Sequence, residues 1–133
     1  MEEVPGAYDL SGKVIGAAMK VHSTLGHGFL ESVYQNALIW ELRKAGLKSE
    51  AEKPISVLYD GQLVGAFTAD VLVNDSLIVE LKAIQALAKA HEVQLVNYLV
   101  ATRIDKGLLV NFGAERFEYK KKFRLPKKVP ASL

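Results

Sequence analysis

The sequence predicts an α/β fold in which a mixed central sheet is flanked by helices. Three observations predict it. Two early segments and one late segment repeat apolar residues every three or four positions, as helices do. The middle of the chain alternates apolar residues between two tight turn signals, as antiparallel strands do. Two further strand-like runs follow the late helical segment. The order α-α-β-β-β-α-β-β puts a β-meander before a helix and a further strand, which gives a sheet of mixed direction.

The first helix, capped by Asp9 or Ser11, carries Val14, Ile15, Ala18, Met19 and His22. Gly26-His27-Gly28 breaks it. A second helix carries Leu30, Val33, Tyr34, Ala37, Leu38 and Leu42 on its apolar side, and Gly46 lies just past its end. Trp40 on this helix reads as core or as a partner contact. A strand follows from Pro54 to Tyr59, and Asp60-Gly61 is a hairpin turn signal. The return strand runs from Leu63 to Val73, with Phe67, Ala69, Val71 and Val73 alternating, and Asn74-Asp75 turns it into Ser76–Ala83. Helical spacing returns from Ala86 to Thr102 through Leu87, Ala90, Val93, Val96 or Asn97, and Val100. Leu108 to Phe112 reads as a short buried strand, and Arg116 to Phe123 as an edge strand.

With 133 residues and no linker or shift in composition, the whole chain reads as one domain, with a core over about residues 10–123. A 50% hydrophobic, 24% charged composition excludes disorder. The absence of cysteine excludes disulfides and thiolate zinc sites. The acidic start lacks the apolar stretch of a secretory signal, and no apolar run approaches the ~20 residues of a membrane span. A cytoplasmic protein without a membrane partner is expected. A net charge of +2 is too small to name a nucleic-acid partner, but Lys120, Lys121, Lys122, Arg124, Lys127 and Lys128 make residues 120–133 a basic tail.

The chemistry concentrates at Asp70, Glu80 and Lys82. Side chains alternate along a strand, so Ile78, Glu80 and Lys82 share one face while Leu77, Val79 and Leu81 share the other. Charges at the end of a buried strand are costly unless paired or bound to an ion. Two carboxylates from adjacent strands offer the hard oxygen donors that Mg²⁺ and Mn²⁺ prefer, with the Leu81 carbonyl as a further ligand. Lys82 can orient a water or stabilise developing charge. A salt-bridged strand end is the plainer reading of the same spacing. Glu31 and Tyr34 share a face of the second helix, and His91, Gln94 and Tyr98 form a polar and aromatic stripe on the third. His22, His27 and His91 lack the short spacing of helical metal pairs, so zinc is not expected.

Gly28-x-x-Glu31-x-x-Tyr34 resembles the signature of the GxxExxY protein family. The resemblance continues through Val21-His22, Leu25-Gly26, Ala69-Asp70-Val71-Leu72-Val73, Ile78-Val79-Glu80-Leu81-Lys82-Ala83, His91-Glu92-x-Gln94-Leu95-x-Asn97-Tyr98-Leu99 and Asn111-Phe112-Gly113. It spans about Lys13 to Phe123. That family is placed in the PD-(D/E)xK nuclease-like superfamily. The resemblance implies a restriction-endonuclease-like αβββαβ core and Mg²⁺- or Mn²⁺-dependent phosphodiester hydrolysis in DNA or RNA. It assigns Asp70, Glu80 and Glu31 to metal binding and Lys82 to the E-x-K lysine. It matches Gln94 and Tyr98 to the glutamine and tyrosine of the RecB-like branch, with Tyr34 and His91 in support. Thr68 stands where many relatives carry Arg, and no Pro immediately precedes Asp70. The alternative is a nuclease-fold module, weak or inactive in catalysis, that binds nucleic acid, a protein partner or a second copy of itself.

Overall fold

The computed structural model describes residues 10–124. Its elements are α1 (Leu10–Leu25), α2 (Glu31–Lys44), β1 (Ser49–Tyr59), β2 (Gln62–Val73), β3 (Leu77–Lys82), α3 (Lys89–Thr102), β4 (Lys106–Asn111) and β5 (Glu118–Phe123). The strands form one sheet in the order β1-β2-β3-β4-β5. Neighbours are antiparallel except β3 and β4, which run parallel because α3 carries the chain back across the sheet. This is the mixed sheet flanked by helices that the apolar periodicities predict.

Helices α1 and α2 cover one face. Val14, Ile15, Ala18, Val21, Tyr34, Leu38, Ile39 and Leu42 pack there on the outward alternates of the central strands, among them Val71, Val79, Leu81 and Val110. Leu77, Val79 and Leu81 lie together on that face, and Ile78 lies on the other. Helix α3 covers the second face with Leu95, Tyr98 and Leu99 against Ile55, Leu72, Ile78 and Leu109. Both turn signals make their turns: Asp60 and Gly61 have φ of 54° and 76°, and Asn74 and Asp75 have φ of 50° and 56°.

Several expectations are corrected. Helix α1 begins at Leu10, so Ser11 lies inside its first turn instead of capping it, while Asp9 lies outside the described residues. Leu30 precedes α2 and is exposed, and Ile39 takes the buried place instead. Trp40 is 64% exposed and is not core. Strand β1 starts at Ser49, five residues before Pro54, because Ser49 to Lys53 pair with Ala69 to Val73. Helix α3 starts at Lys89, not Ala86, and Ala90, Val93 and Val100 are exposed. Lys120, Lys121 and Lys122 belong to β5, not to a tail. Lys122 pairs with Glu92 at 2.9 Å and Arg124 with Asp105 at 2.7 Å, whereas Lys127 and Lys128 lie outside the described residues. No helix among the described residues is long and apolar enough to cross a membrane.

Candidate active site

The ladder between β2 and β3 pairs Val73 with Leu77, Leu72 with Ile78 and Val71 with Val79, and stops short of Asp70 and Glu80. Side chains take over from the ladder there. The Asp70 N–H donates to Glu80 Oε2 at 3.1 Å, and the Leu81 N–H donates to Asp70 Oδ2 at 2.8 Å. Alternation along β2 slips at the same residue. Val71 and Val73 pack under α1 and α2, whereas Ala69 packs on the α3 face and Phe67 lies 5.3 Å, centroid to centroid, from Tyr98 of α3. A one-residue slip exchanges the faces of a strand, so Asp70 sits where β2 twists away and its carboxyl turns to β3.

The electrostatics follow from that crowding. Glu80 is 6% exposed; burial first, then the Asp70 charge, pushes its carboxyl up to about 8. Burial also raises Asp70, partly offset by the Leu81 N–H bond. Both carboxyls therefore bind a proton more tightly than a free carboxylate does. Glu31, in the first turn of α2, is raised by burial and then by Asp70, with Lys82 opposing. Tyr98 is raised by burial, then by Glu80 and Asp70. Glu31, Glu80, Lys82 and Tyr98 therefore each lie within the field of Asp70.

The end of β3 is held from β4. Lys82 pairs across the ladder with Asn111, and the Phe112 N–H donates to the Lys82 carbonyl at 2.8 Å. Asn111 Oδ1 accepts from the Ile84 and Gly113 N–H groups at 3.0 Å each. Its Nδ2 donates to the Ile84 carbonyl and to Glu118 Oε1, both at 2.9 Å. A side chain at Gly113 would strike the backbone of Ala83 and Ile84. The Asn111-Phe112-Gly113 run is thus a clasp that fixes where Lys82 stands.

Other candidate residues do other work. Tyr34 is fully buried, stacks on Phe112 at 4.7 Å, donates to the Gly26 carbonyl at 2.6 Å and accepts from the Phe29 N–H at 3.2 Å. It shapes the turn that delivers Glu31. His91 Nδ1 accepts the Ala88 N–H at 2.9 Å and so caps the start of α3. Gln94 is exposed and lines, with Phe67, Asn97, Tyr98 and Arg103, a groove of about 820 Å³ between the β1–β2 hairpin and α3. The structure does not bring it into hydrogen bonding with the carboxyls.

Two neighbours of Asp70 escaped the sequence reading. Gln35 Nε2 donates to the Asp70 carbonyl and to Glu52 Oε2, both at 2.8 Å. Glu52, at φ 55° in β1, stands between the pairs Ala51–Val71 and Lys53–Ala69 and therefore faces Asp70. Its charge raises both Asp70 and Glu31. Gln35 was visible in principle, since it follows Glu31 by one helical turn.

Among the described residues, no three His, Cys, Asp or Glu side chains are placed to grip a metal ion. The donor chemistry nonetheless fits a hard dication. Asp70 and Glu80 use Oδ2 and Oε2 in the bonds to Leu81 and Asp70, leaving Oδ1 and Oε1 outside those bonds. Both carboxyls are raised by burial, so a cation would relieve the pair.

Comparison with known proteins bears on the fold and on the superfamily. One solved structure, described as the crystal structure of SSO0001, superposes with a TM-score of 0.54 at 17% sequence identity. The match covers 72% of this chain and 52% of that one, so the chain spans about half the length of the solved protein. At that identity the likeness is one of fold. No curated protein matches the chain. The model of the PD-(D/E)XK nuclease superfamily matches residues 8–123, a stretch that holds both strands of the Asp70–Glu80 divergence and the clasp behind Lys82, and the chain belongs to that superfamily.

Proposed function

We propose that this chain is a divalent-metal-dependent phosphodiester hydrolase of the GxxExxY type, acting on DNA or RNA. The observation that carries the reading is the convergence of a buried carboxyl, Glu80, and a half-buried one, Asp70, both with raised proton affinity, near Lys82 at a strand divergence. Superfamily membership supports it. Asp70 and Glu80 would hold Mg²⁺ or Mn²⁺, with Glu31 beside them. The ion supplies charge neutralisation at the phosphate and acidifies water. Lys82, whose backbone is fixed by the clasp, orients the attacking water and balances charge that grows on the phosphate oxygens. Tyr98 joins the carboxyls to the groove where Gln94 and Asn97 lie, which gives a strand of nucleic acid a path to the site.

Incubation of plasmid and single-stranded DNA and RNA with Mn²⁺ tests the proposal. Wild-type protein cleaves at least one of them, and Asp70→Ala and Lys82→Ala do not. Cleavage that persists in both variants removes the mechanism.

One feature favours a second reading, a nuclease-fold module that docks on a protein partner or on another copy of itself. Leu58, Tyr59, Leu63 and Val64 at the hairpin tip are each at least 60% exposed. Sedimentation at rising concentration and calorimetry with Mn²⁺ separate the readings: a self-associating protein that takes up no metal is the module.

A further inference from the structure

We infer that Gln35 is a positioning residue for Asp70, setting the metal-binding carboxyl by holding its backbone. The inference rests on the metal-dependent reading above. Asp70 lies where the β2–β3 ladder has ended, so its peptide groups are not fixed by strand pairing on that side. Three side-chain bonds hold it instead. Glu80 takes its N–H, Leu81 gives an N–H to its carboxylate, and Gln35 gives an N–H to its carbonyl. The first two come from β3, the strand that carries the other half of the site. Gln35 is the tie among these that comes from α2, one helical turn beyond Glu31. It therefore sets the distance between the helix bearing Glu31 and the strand bearing Asp70.

Both donors of the Gln35 amide are used. Its two N–H groups go to the Asp70 carbonyl and to Glu52 Oε2. The second bond holds the Glu52 carboxylate, at a backbone position that side chains rarely adopt, against the helix. Without the Gln35 donors, Glu52 loses its hydrogen-bonded partner and the Asp70 carbonyl loses the bond that substitutes for a ladder. Partners of this kind, one bond removed from a metal ligand, orient the ligand and are worth roughly 10–100-fold in metal affinity.

The test is calorimetric titration of the full chain with Mn²⁺, paired with thermal unfolding in the absence of metal. Gln35→Met removes both donors with little change in shape. The exchange Gln35→Glu with Glu52→Gln keeps a hydrogen bond between positions 35 and 52 but removes the donor that α2 gives to the Asp70 carbonyl. Asn36→Ala, an exposed neighbour on the same helix, is the control. The expected result is a roughly 10-fold or greater loss of Mn²⁺ affinity in Gln35→Met and in the exchange variant, with the control unchanged. The exchange variant recovers thermal stability relative to Gln35→Met without recovering affinity, which a merely structural glutamine would not show. Wild-type affinity in Gln35→Met, or full affinity in the exchange variant, overturns the inference alone. A wild-type protein that takes up no Mn²⁺ overturns the metal-dependent reading and this inference with it.

Discussion

Glu80 reaches back from β3 to accept the backbone N–H of Asp70 at 3.1 Å, at the first residue beyond the ladder those strands share. A carboxyl in that place does what a backbone carbonyl does elsewhere in the sheet. It does so while buried beside a second carboxyl, and that combination makes the stability of the fold depend on pH.

The sign of the pH dependence is fixed by the direction of the shifts. Asp70, Glu80 and Glu31 all bind protons more tightly in the folded protein than in an open chain, so the folded state holds more protons between the ordinary carboxylate range and about 8. The Glu80 contribution is fully present below its unfolded value of 4.5 and is lost as pH rises through about 8, and those of Asp70 and Glu31 are lost in the same direction. Lys82 opposes the loss, while Glu52 adds to it at Asp70 and Glu31. Glu41, Glu50 and Glu92, held down by Lys44, Lys53 and Lys122, act in the opposite sense and at lower pH. Thermal unfolding without metal is expected to show stability falling by about 1–3 kcal/mol from about pH 5 to about pH 8.5. Glu80→Gln flattens the profile, and Mn²⁺ restores stability most at the alkaline end.

Tyr34 builds the turn before α2. Tyr34→Phe keeps the stack on Phe112 but strands the Gly26 carbonyl and the Phe29 N–H. Chemical denaturation is expected to show a loss of about 1–2 kcal/mol.

Glycine has opposite meanings at two positions. Gly113 lies against the backbone of Ala83 and Ile84, so Gly113→Ala is expected to cost about 3 kcal/mol or more in urea denaturation. Gly16, exposed inside α1 with open space around it, is merely flexible. Gly16→Ala is expected to gain about 0.5–1 kcal/mol by the same measurement.

Asn111 is fully buried and makes four bonds through one amide. Asn111→Leu has similar bulk but leaves the Ile84 and Gly113 groups unpaired. A loss of about 2–4 kcal/mol in urea denaturation is expected, together with weakened Mn²⁺ uptake as the end of β3 loosens.

The central strands were legible because their alternation is strict and their turn residues are decisive. Leu77, Val79 and Leu81 could only face one helical layer, and Asp60-Gly61 and Asn74-Asp75 could only be turns. Helix α3 was harder, for a physical reason. It is apolar on several sides, so Val93, Val96 and Val100 compete with Leu95 and Leu99 for the inward stripe, and only packing against Ile78 and Leu109 decides. Glu52 was hidden by a register shift. Counting back from the Tyr59–Gln62 pair sets Glu52 opposite Ala69, and the irregularity at Val57/Leu58 moves it by one to Asp70. Gln94, matched through the family resemblance, lies in the groove beside α3, while the glutamine bonded to Asp70 is Gln35, because α2 passes the point where β2 leaves the sheet.

The clasp on β3 is supplied from far along the chain, 27 residues separating Asn111 from Ile84. A polypeptide emerging from the ribosome only as far as α3 already owns each acid and the lysine, but not the parallel neighbour that says where β3 ends. The geometry at the end of β3 is therefore complete only once the crossover has closed.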